Sequence, residues 1–464
     1  MQMVSKNSMP CFQDYSHSHT ARSSSLKRII KKPRPFILSL CVVAFLGCVM
    51  SDAPSRDIKT VARDYIPKLE KNLRQNIVPF WLQKTLDPTN GGYTINFGLN
   101  SEPLGPGIKM IVTQARQVWL FSRLVREGYG GKECRDAAEL GYRFLKEKMW
   151  DKKHGGFYWQ VDATGNKVLL AGKIMYGQAF GLYAVAEYYL ACKKPEVLTF
   201  AREIFELMEA KAHDSVYGGY CETFAEDWTV PTLTRSYLGT PPDTKTMNTH
   251  LHLLEAMTSF YRASALPLAR ERLLELLHIQ STTVVRKNVG ACTDKYQRDW
   301  TPMLDGENAQ VAYGHSLENI WLLIDACDAA GISPSPLRDL FQMLFNYAFK
   351  YGFDEKKGGF YRSGNIVNNR VTDRDKVWWV QAEALVCSLY LYRLTQDTNY
   401  LEVFAKTYDF IDTRQVDWQN GEWYATITPK GKPEGNKADQ WKAGYHNGRA
   451  MMECLTILKK AQRK

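Results

Sequence analysis

The heptapeptide Asp87-Pro-Thr-Asn-Gly-Gly-Tyr93 decides the fold of this 464-residue chain, because copies of it recur along the sequence. Three copies keep the aspartate, the glycine pair and a closing aromatic residue: Asp151-Lys-Lys-His-Gly-Gly-Phe157, Asp214-Ser-Val-Tyr-Gly-Gly-Tyr220 and Asp354-Glu-Lys-Lys-Gly-Gly-Phe360. A less regular copy, in which glutamate replaces the second glycine, follows at Asp417-Trp-Gln-Asn-Gly-Glu-Trp423. The aspartates are spaced by 64, 63, 140 and 63 residues, and the long gap leaves room for a degenerate copy near Lys287-Asn-Val-Gly-Ala-Cys292. Such a fixed period predicts about six copies of one structural unit.

The copies have the chemistry of turns, because aspartate and paired glycines favour turns in which glycine supplies a positive φ. Between them, apolar residues recur at i, i+3, i+4 and i+7, which predicts helices. Six such helices are predicted over Met110–Leu124, Tyr176–Leu190, Thr246–Arg262, Tyr313–Ala330, Trp378–Leu394 and Tyr445–Leu458. Second helices fit between them, for example over Cys134–Met149, Glu196–Ala210 and Ser335–Phe349.

Two helices in every period of about 64 residues predict an all-α fold, an (α/α)6 barrel in which six inner helices are ringed by six outer ones. Open solenoids stack similar pairs, but six copies without polar capping repeats favour a closed toroid of six helical hairpins. Chain length alone would predict about three domains. The repeat instead predicts that residues 51–464 form a single barrel domain, the catalytic one.

Residues 1–50 differ from the rest in charge and are predicted to be an N-terminal export leader. They hold seven basic residues against one acidic residue, which accounts for +6 of the net charge of +11. The basic segment Lys27–Arg34 precedes the uncharged apolar run Phe36–Met50, the order found in export signals. Phe45-Leu-Gly-Cys48 resembles a lipoprotein processing box, so a cleaved signal peptide and a lipid or membrane anchor both stay open. We expect an exported, extracytoplasmic protein, periplasmic or lipid-anchored.

Composition excludes several classes of protein. Hydrophobic residues make up 45% and charged residues 23%, which excludes a disordered or fibrous chain. The charge of +5 that remains outside the leader is spread without basic runs, so we expect no nucleic-acid partner. The seven cysteines outside the leader form no Cys-x-x-Cys pair, which argues against a disulfide framework or a zinc site.

Unusual polar and aromatic residues fall at matched positions of the predicted inner helices. They are Arg116, Asn248, His252, His315, Glu318, Trp379, Glu383 and His446. In a toroid, residues at the same phase of the repeat converge on the mouth of the central cavity. Each has an ordinary alternative as a core histidine, a structural ion pair or, for Trp379 and its neighbour Trp378, a core aromatic residue. The coincidence of phase favours a functional site, since buried charges are costly unless they are paired or used.

Four strings in order resemble the N-acylglucosamine 2-epimerase superfamily, most of all its cellobiose 2-epimerase branch. They are Asn248-Thr-His-Leu-His-Leu-Leu-Glu255, Gly314-His-x-x-Glu318, Trp378-Trp-x-Gln-Ala-Glu383 and Tyr445-His-Asn-x-Arg449. The resemblance runs from about residue 65 to residue 458. It implies an (α/α)6 barrel that binds a mono- or oligosaccharide and uses no metal and no redox cofactor.

By motif, the resemblance implies that His315 and His446 are the acid/base pair and that His252 is a third active-site histidine. Other catalytic or substrate-binding positions that match are Arg116, Glu318, Trp321, Trp379 and Glu383. Trp441 matches a tryptophan that stacks on sugar. Tyr176, Asn248 and Trp378, on the same inner helices, complete the substrate-binding candidates.

The chemistry of C2 inversion requires the same residue types. An open-chain aldose must lose the proton α to its aldehyde and regain one on the opposite face, which needs two groups that alternate as base and acid. Histidine, with a pKa near ~6.5, suits both roles. Arg116 and His252 are suited to stabilise the enediolate oxygen, and Glu318 is expected to orient His315. The prediction is a sugar 2-epimerase acting on an aldose of the cellobiose, mannose or N-acylglucosamine type.

Two alternatives stay open at this point. An aldose–ketose isomerase of the same superfamily would use the same proton abstraction but return the proton to C1. An inverting glycoside hydrolase would need two carboxylates about 6.5–9.5 Å apart, for which Glu318 and Glu383 are the candidates. Gln114-Ala-Arg116 resembles the N-acylglucosamine branch, so the sugar is not determined. The loop over Asp227–Thr244 is expected to cap the cavity and limit the size of the sugar.

Overall fold

The computed structural model describes residues 56–232 and 235–463, so the predicted leader and Cys48 lie outside the described residues. The α-helices there are α1 (Ile58–Lys71), α2 (Val78–Lys84), α3 (Ile111–Arg126), α4 (Lys132–Phe144), α5 (Met175–Cys192), α6 (Pro195–Ala212), α7 (Met247–Ser264), α8 (Pro267–His278), α9 (Tyr313–Ala330), α10 (Arg338–Gly352), α11 (Trp378–Thr395), α12 (Asn399–Phe410) and α13 (Tyr445–Gln462). Short π-helical segments extend α1, α4, α8 and α12. None of these helices combines the length and the apolar character needed to cross a membrane.

The helices form a closed double ring. Each of the inner helices α3, α5, α7, α9 and α11 contacts the next, and α13 contacts α3, so the ring closes. The outer helices α4, α6, α8, α10 and α12 each pack on the inner helix that precedes them. The predicted (α/α)6 barrel is therefore confirmed. The sixth outer position is filled by α1, which packs on α13, so the last hairpin joins the start of the described chain to its end.

Short antiparallel strands gather at one face of the ring. They are β1 (Lys109–Met110), β2 (Gln160–Val161), β3 (Val168–Leu170), β4 (Lys173–Ile174), β5 (Thr223–Phe224), β6 (Lys245–Thr246), β7 (Val285–Arg286), β8 (Ala291–Cys292), β9 (Lys295–Tyr296), β10 (Gln310–Ala312), β11 (Ser363–Asn365), β12 (Arg370–Asp373), β13 (Lys376–Val377), β14 (Thr426–Ile427) and β15 (Pro433–Glu434). The strand before an inner helix pairs with the strand after the next outer helix, as β1 does with β2. This pairing brings the N-terminal ends of the inner helices to the same face.

The repeated heptapeptide forms a turn that a lysine ties to the next inner helix. Lys109, directly before α3, donates to Asp87 at 2.7 Å, and Lys173, directly before α5, donates to Asp151 at 2.8 Å. The same ion pair recurs as Lys245–Asp214, Lys376–Asp354 and Lys437–Asp417. The degenerate copy is the hairpin of β7 and β8, and it lacks the aspartate. Each pair fixes where its inner helix begins relative to the preceding turn.

The second glycine of the turn is tightly enclosed, which predicts a large loss of stability when Gly359 is replaced with alanine. Its φ is +78°, and an added Cβ would lie 2.6 Å from Oε1 of Gln381 and 3.0 Å from the Phe410 ring. Gly431 has a similar φ of +80° but no atom within 4 Å of such a Cβ. Alanine at a positive φ costs about 1–2 kcal/mol of stability at either position. The steric overlap of its Cβ with Gln381 and Phe410 adds about 1–3 kcal/mol at Gly359 only.

We therefore expect the melting temperature to fall clearly further in Gly359→Ala than in the matched control Gly431→Ala. Differential scanning calorimetry of the two variants beside the unsubstituted protein measures the difference. Equal melting temperatures for the two variants would mean that the turn relaxes around the added methyl group.

Candidate active site

The predicted site residues come together at the face where the inner helices begin. They are Arg116 in α3, Tyr176 in α5, Asn248 and His252 in α7, His315, Glu318 and Trp321 in α9, Trp378, Trp379 and Glu383 in α11, and His446 in α13, with Trp441 just before α13. Most of them are buried, and Asn248, His315, Trp378 and Trp379 are half-buried. Six helices that run in the same direction thus each place at least one polar group at a shared mouth.

His446 is held by a carboxyl group from the neighbouring inner helix. Its Nδ1 lies 2.6 Å from Oε1 of Glu383, and the second oxygen of Glu383 accepts a hydrogen bond from Nε1 of Trp321 at 2.8 Å. This fixes the ring and leaves Nε2 as the nitrogen available to a ligand. Trp321, predicted to bind substrate, is buried below Glu383 and orients that carboxyl group.

His252 has a similar support. Its Nδ1 lies 3.0 Å from Oε2 of Glu255, one helical turn further along α7. The imidazole ring also packs against Phe180, with ring centroids 4.6 Å apart, and against Tyr176 at 5.0 Å. The other oxygen of Glu255 accepts a hydrogen bond from the hydroxyl of Tyr445. Aromatic rings and a carboxylate therefore keep His252 in one orientation.

His315 lacks a carboxylate hydrogen bond among the described residues. Its ring lies on Trp379, with centroids 4.7 Å apart, and the same tryptophan ring lies 5.9 Å from the ring of His446. Glu318 was expected to orient His315, but its Oε1 lies 4.0 Å from Nδ1 of His446 instead. The expectation was wrong because the side chain of Glu318 reaches across to the neighbouring helices. A cavity of about 180 Å³ adjoins His315 and is lined in part by Asp294.

Burial favours the neutral form of all three histidines. Burial lowers the pKa of His315, and it lowers the pKa values of His252 and His446 well below the usual range, with the positive charge of Arg116 acting in the same direction. Desolvation disfavours the imidazolium form. Neutral imidazole is the form that can accept a proton, so each histidine is ready to act as a base.

The pKa values of the carboxyl groups of Glu318 and Glu383 shift in the opposite direction, upward. Burial raises the pKa of Glu318 to about 8, and it raises that of Glu383 further above its usual range, with the charge of Glu318 adding to the effect. Their oxygen atoms lie within 4.8 Å of each other. An inverting glycoside hydrolase needs a separation of about 6.5–9.5 Å, so this pair does not have the geometry of that alternative.

Arg116 places a guanidinium group at the mouth. Its Nη1 donates to the carbonyl oxygen of Trp441 at 2.7 Å, its Nη2 donates to the hydroxyl of Tyr176 at 3.2 Å, and its charge lies 4.4 Å from the centre of the Phe180 ring. Nε of Arg116 is buried with no partner among the described residues. The guanidinium therefore keeps donor capacity for a ligand oxygen.

Aromatic rings form the rim of the mouth. The Trp441 side chain is 43% exposed, and its ring centroid lies 6.2 Å from Tyr176 and 6.3 Å from Trp159. Tyr237, from the loop predicted over residues 227–244, stacks on Trp159 at 6.4 Å. The loop therefore reaches the rim, and its role as a cap stays a prediction. Trp378 lies 6.5 Å from His446, and its indole N–H is buried without a partner in the described structure.

Several residues that contact the predicted site residues carry no role predicted from the sequence. They are Glu255, Tyr445 and Arg449 below the histidines, and Phe180 and Trp159 beside them. Glu255 and Arg449 each follow a site histidine by three positions, so spacing on the helix face was the available signal. Phe180 and Trp159 carry no signal that distinguishes them from core aromatic residues.

The closed helical toroid thus gathers histidines, a guanidinium group and aromatic rings at one mouth, an arrangement suited to a polar ligand. The family model of N-acylglucosamine 2-epimerase (GlcNAc 2-epimerase) matches residues 91–450. The chain therefore belongs to this family, as its motifs predicted, and by class it is a carbohydrate epimerase.

Individual relatives agree with this assignment. Cellobiose 2-epimerase from Dictyoglomus turgidum is 31% identical over 401 residues, which cover 84% of this chain and 97% of that relative. The solved structure of cellobiose 2-epimerase from Spirochaeta thermophila has a TM-score of 0.77 and 33% identity, and the match covers 86% of this chain and 98% of that one. D-mannose isomerase from Marinomonas mediterranea is 24% identical over 419 residues, covering 87% of this chain and 99% of that relative.

Proposed function

We propose that this protein inverts C2 of a reducing-end aldose by proton transfer between His315 and His446. The observation that carries the proposal is the placement of both imidazole rings against the ring of Trp379, with both pKa values lowered. We expect a sugar held near this tryptophan to meet one of the two histidines on each side of C2. Relatives named cellobiose 2-epimerase support cellobiose as the first sugar to test.

In the proposed reaction, one histidine removes the C2 proton from the open-chain aldehyde and an enediolate forms. The guanidinium of Arg116 stabilises the charge that develops on the oxygen. The second histidine then delivers a proton to the opposite face of C2. No electrons are gained or lost overall, so the step needs no redox cofactor.

The hydrogen bond between His446 and Glu383 suits a group that alternates between acid and base. With the proton on Nδ1, the free Nε2 of His446 accepts a proton from C2. With the proton on the carboxyl group of Glu383, which its raised pKa favours, Nε2–H is the donor. Either arrangement keeps the 2.6 Å hydrogen bond.

Proton NMR in D₂O tests the proposal, with residues 51–464 incubated with cellobiose, mannose or N-acetylmannosamine. We expect deuterium at C2 together with appearance of the C2 epimer of one of these sugars. A ketose product would assign the chain to the isomerases, as the relative named D-mannose isomerase suggests. Release of glucose from cellobiose, or no exchange with any of the sugars, would contradict the proposal.

We further propose that the protein is exported, with residues 1–50 as a leader that is cleaved or anchors the chain to a membrane. The support is the basic segment Lys27–Arg34 followed by the apolar run Phe36–Met50. Mass spectrometry of the N-terminal peptide from cells shows whether the leader is removed and whether Cys48 carries lipid.

A further inference from the structure

A buried arginine joins three of the inner helices below the histidines. Arg449 lies one helical turn after His446 in α13 and is 1% exposed. Its Nη2 donates to Oε1 of Glu318 in α9 at 2.8 Å and to Oε1 of Glu383 in α11 at 2.9 Å, and its Nη1 donates to Oε1 of Glu255 in α7. A single guanidinium group is thus the shared partner of three carboxyl groups from three repeats.

Two of these carboxyl groups are the ones that hold histidines. Glu255 contacts Nδ1 of His252, and Glu383 contacts Nδ1 of His446. A continuous chain of hydrogen bonds therefore runs from His252 to His446 through Arg449. Neither histidine contacts the other's carboxyl partner by a hydrogen bond, so the guanidinium is the link between the two supports.

We propose that Arg449 is a positioning residue that sets the orientation of His252 and His446 together by holding the carboxyl groups of Glu255 and Glu383. The proposal rests on the proposed function for the catalytic roles of the two histidines. The contacts of Arg449 do not depend on that function.

The charge balance of the cluster explains why a guanidinium is needed. Three carboxyl groups in contact would repel one another or take up protons without a cation among them. Two groups of side chains here have the spacing of metal ligands, His252 with Glu255 and Glu318, and Glu318 with Glu383 and His446. Arg449 already donates to each of these carboxylates, so a metal ion would have to displace its guanidinium.

Lysine cannot replace this arginine, because an ammonium group lacks the planar set of donors that reaches several carboxylates at once. The Arg449 guanidinium is also enclosed by aromatic faces, 4.6 Å from the centre of the Trp321 ring and 4.2 Å from that of Tyr445. Burial lowers its pKa to about 10, which still leaves it charged at neutral pH.

Loss of the guanidinium should raise the pKa values of the two histidines, because a positive charge near them disappears. The other titratable or charged groups that face them are Arg116 from α3, Tyr176 from α5, His315 and Glu318 from α9, Tyr445 from α13 and Lys442 just before it. Apart from Glu318 and Tyr445, which Arg449 itself contacts, these groups make no hydrogen bond to Arg449. The loss of its positive charge therefore sets the direction of the change, which is upward. A general base is inactive when it is protonated. If its pKa rises, the enzyme therefore loses activity at a higher pH when the solution is acidified.

The test compares Arg449→Met and Arg449→Lys with Arg123→Met, a matched control. Arg123 lies on α3 and donates to Glu453 at 2.7 Å, within an ion-pair cluster that holds none of the site histidines. In both Arg449 variants we expect kcat to fall about 100-fold and KM to change less than threefold. In Arg449→Met, which also loses the positive charge, we expect the acid limb of the kcat profile to move to higher pH. In Arg123→Met we expect a lower melting temperature with kcat and the pH profile unchanged.

A second measurement is independent of turnover. Histidines labelled with ¹⁵N report the tautomer and the pKa of each ring by NMR titration, and His252→Asn and His446→Asn variants assign the signals. We expect both pKa values to rise in Arg449→Met, which removes the charge. Arg449→Lys keeps a positive charge and serves if Arg449→Met does not fold; in it we expect the tautomers of His252 and His446 to change, because the shared donor set is lost. Unchanged histidine titrations in Arg449→Met, unchanged tautomers in Arg449→Lys, or equal losses of kcat in the Arg449 and Arg123 variants would overturn the proposal. Failure of the proposed function alone would appear as absence of sugar exchange with the shifted titrations still present.

Discussion

Replacing His446 with asparagine should abolish C2 epimerisation, with kcat lowered by about 10²- to 10⁴-fold, the range that positioned acid–base groups contribute. The asparagine amide can still donate to Glu383, so the hydrogen bond at Oε1 and the fold are expected to persist. Circular dichroism and the melting temperature check this. His315→Asn should cause a loss of the same order, because inversion needs one proton-transfer group on each face of C2.

Deuterium exchange separates this two-base reaction from a one-base reaction. A variant that keeps one histidine still removes and replaces the C2 proton on one face of the sugar. His446→Asn should therefore exchange the C2 proton of only one of the two epimers, and His315→Asn should exchange that of the other, both without inversion. Proton NMR in D₂O on each purified epimer measures this. Exchange of the same epimer by both variants, or substantial inversion in either, would rule out the assignment.

The second large effect is expected from Arg116→Met. A methionine fills a similar volume but cannot stabilise a developing oxyanion, and loss of one such donor lowers kcat by about 10²- to 10³-fold. Trp441 and Tyr176 also lose the hydrogen bonds that Arg116 donates to them, so KM should rise as well.

Arg116→Lys is the matched control for this change, because it keeps the positive charge and loses the planar donor set. We expect kcat of Arg116→Lys to lie between those of Arg116→Met and the unsubstituted protein. Its KM should stay close to that of Arg116→Met. Steady-state kinetics with the sugar identified by NMR measures both constants. An Arg116→Met variant with a raised KM and an unchanged kcat would show that Arg116 binds the ground state and the transition state equally.

The positions of the site residues followed from the repeat, whereas their partners did not. His252, His315 and His446 stand at equivalent phases of the period, and closure of the ring then brings them to one mouth. Glu318 shows the limit of this reasoning. It follows His315 by one helical turn, yet its carboxyl group accepts a hydrogen bond from Arg449 and lies near His446. In a narrow ring, a side chain can contact the adjacent and opposite helices as readily as residues of its own helix.

The lysines that bind the repeated aspartates show a second limit. Lys109 and its counterparts lie 20–31 residues after the aspartates, too far along the chain for local spacing to pair them. Their partners become evident only once the strand before each inner helix is paired. The helix α1 is similar, since it lies outside the heptapeptide frame and its place on α13 depends on ring closure.

The sequence by itself determined the toroid, the inner helices and the set of polar residues at its mouth, because a period of about 64 residues and a helical spacing of apolar residues are local patterns that need no knowledge of contacts. Only the tertiary structure decided which carboxyl group supports which histidine, that Arg449 links Glu255, Glu318 and Glu383, and that burial keeps the histidines neutral. Apart from the contact of His252 with Glu255 three residues away, these contacts join residues 63–194 positions apart in the chain. The distances between such side chains and their exclusion from water exist only after the ring has closed.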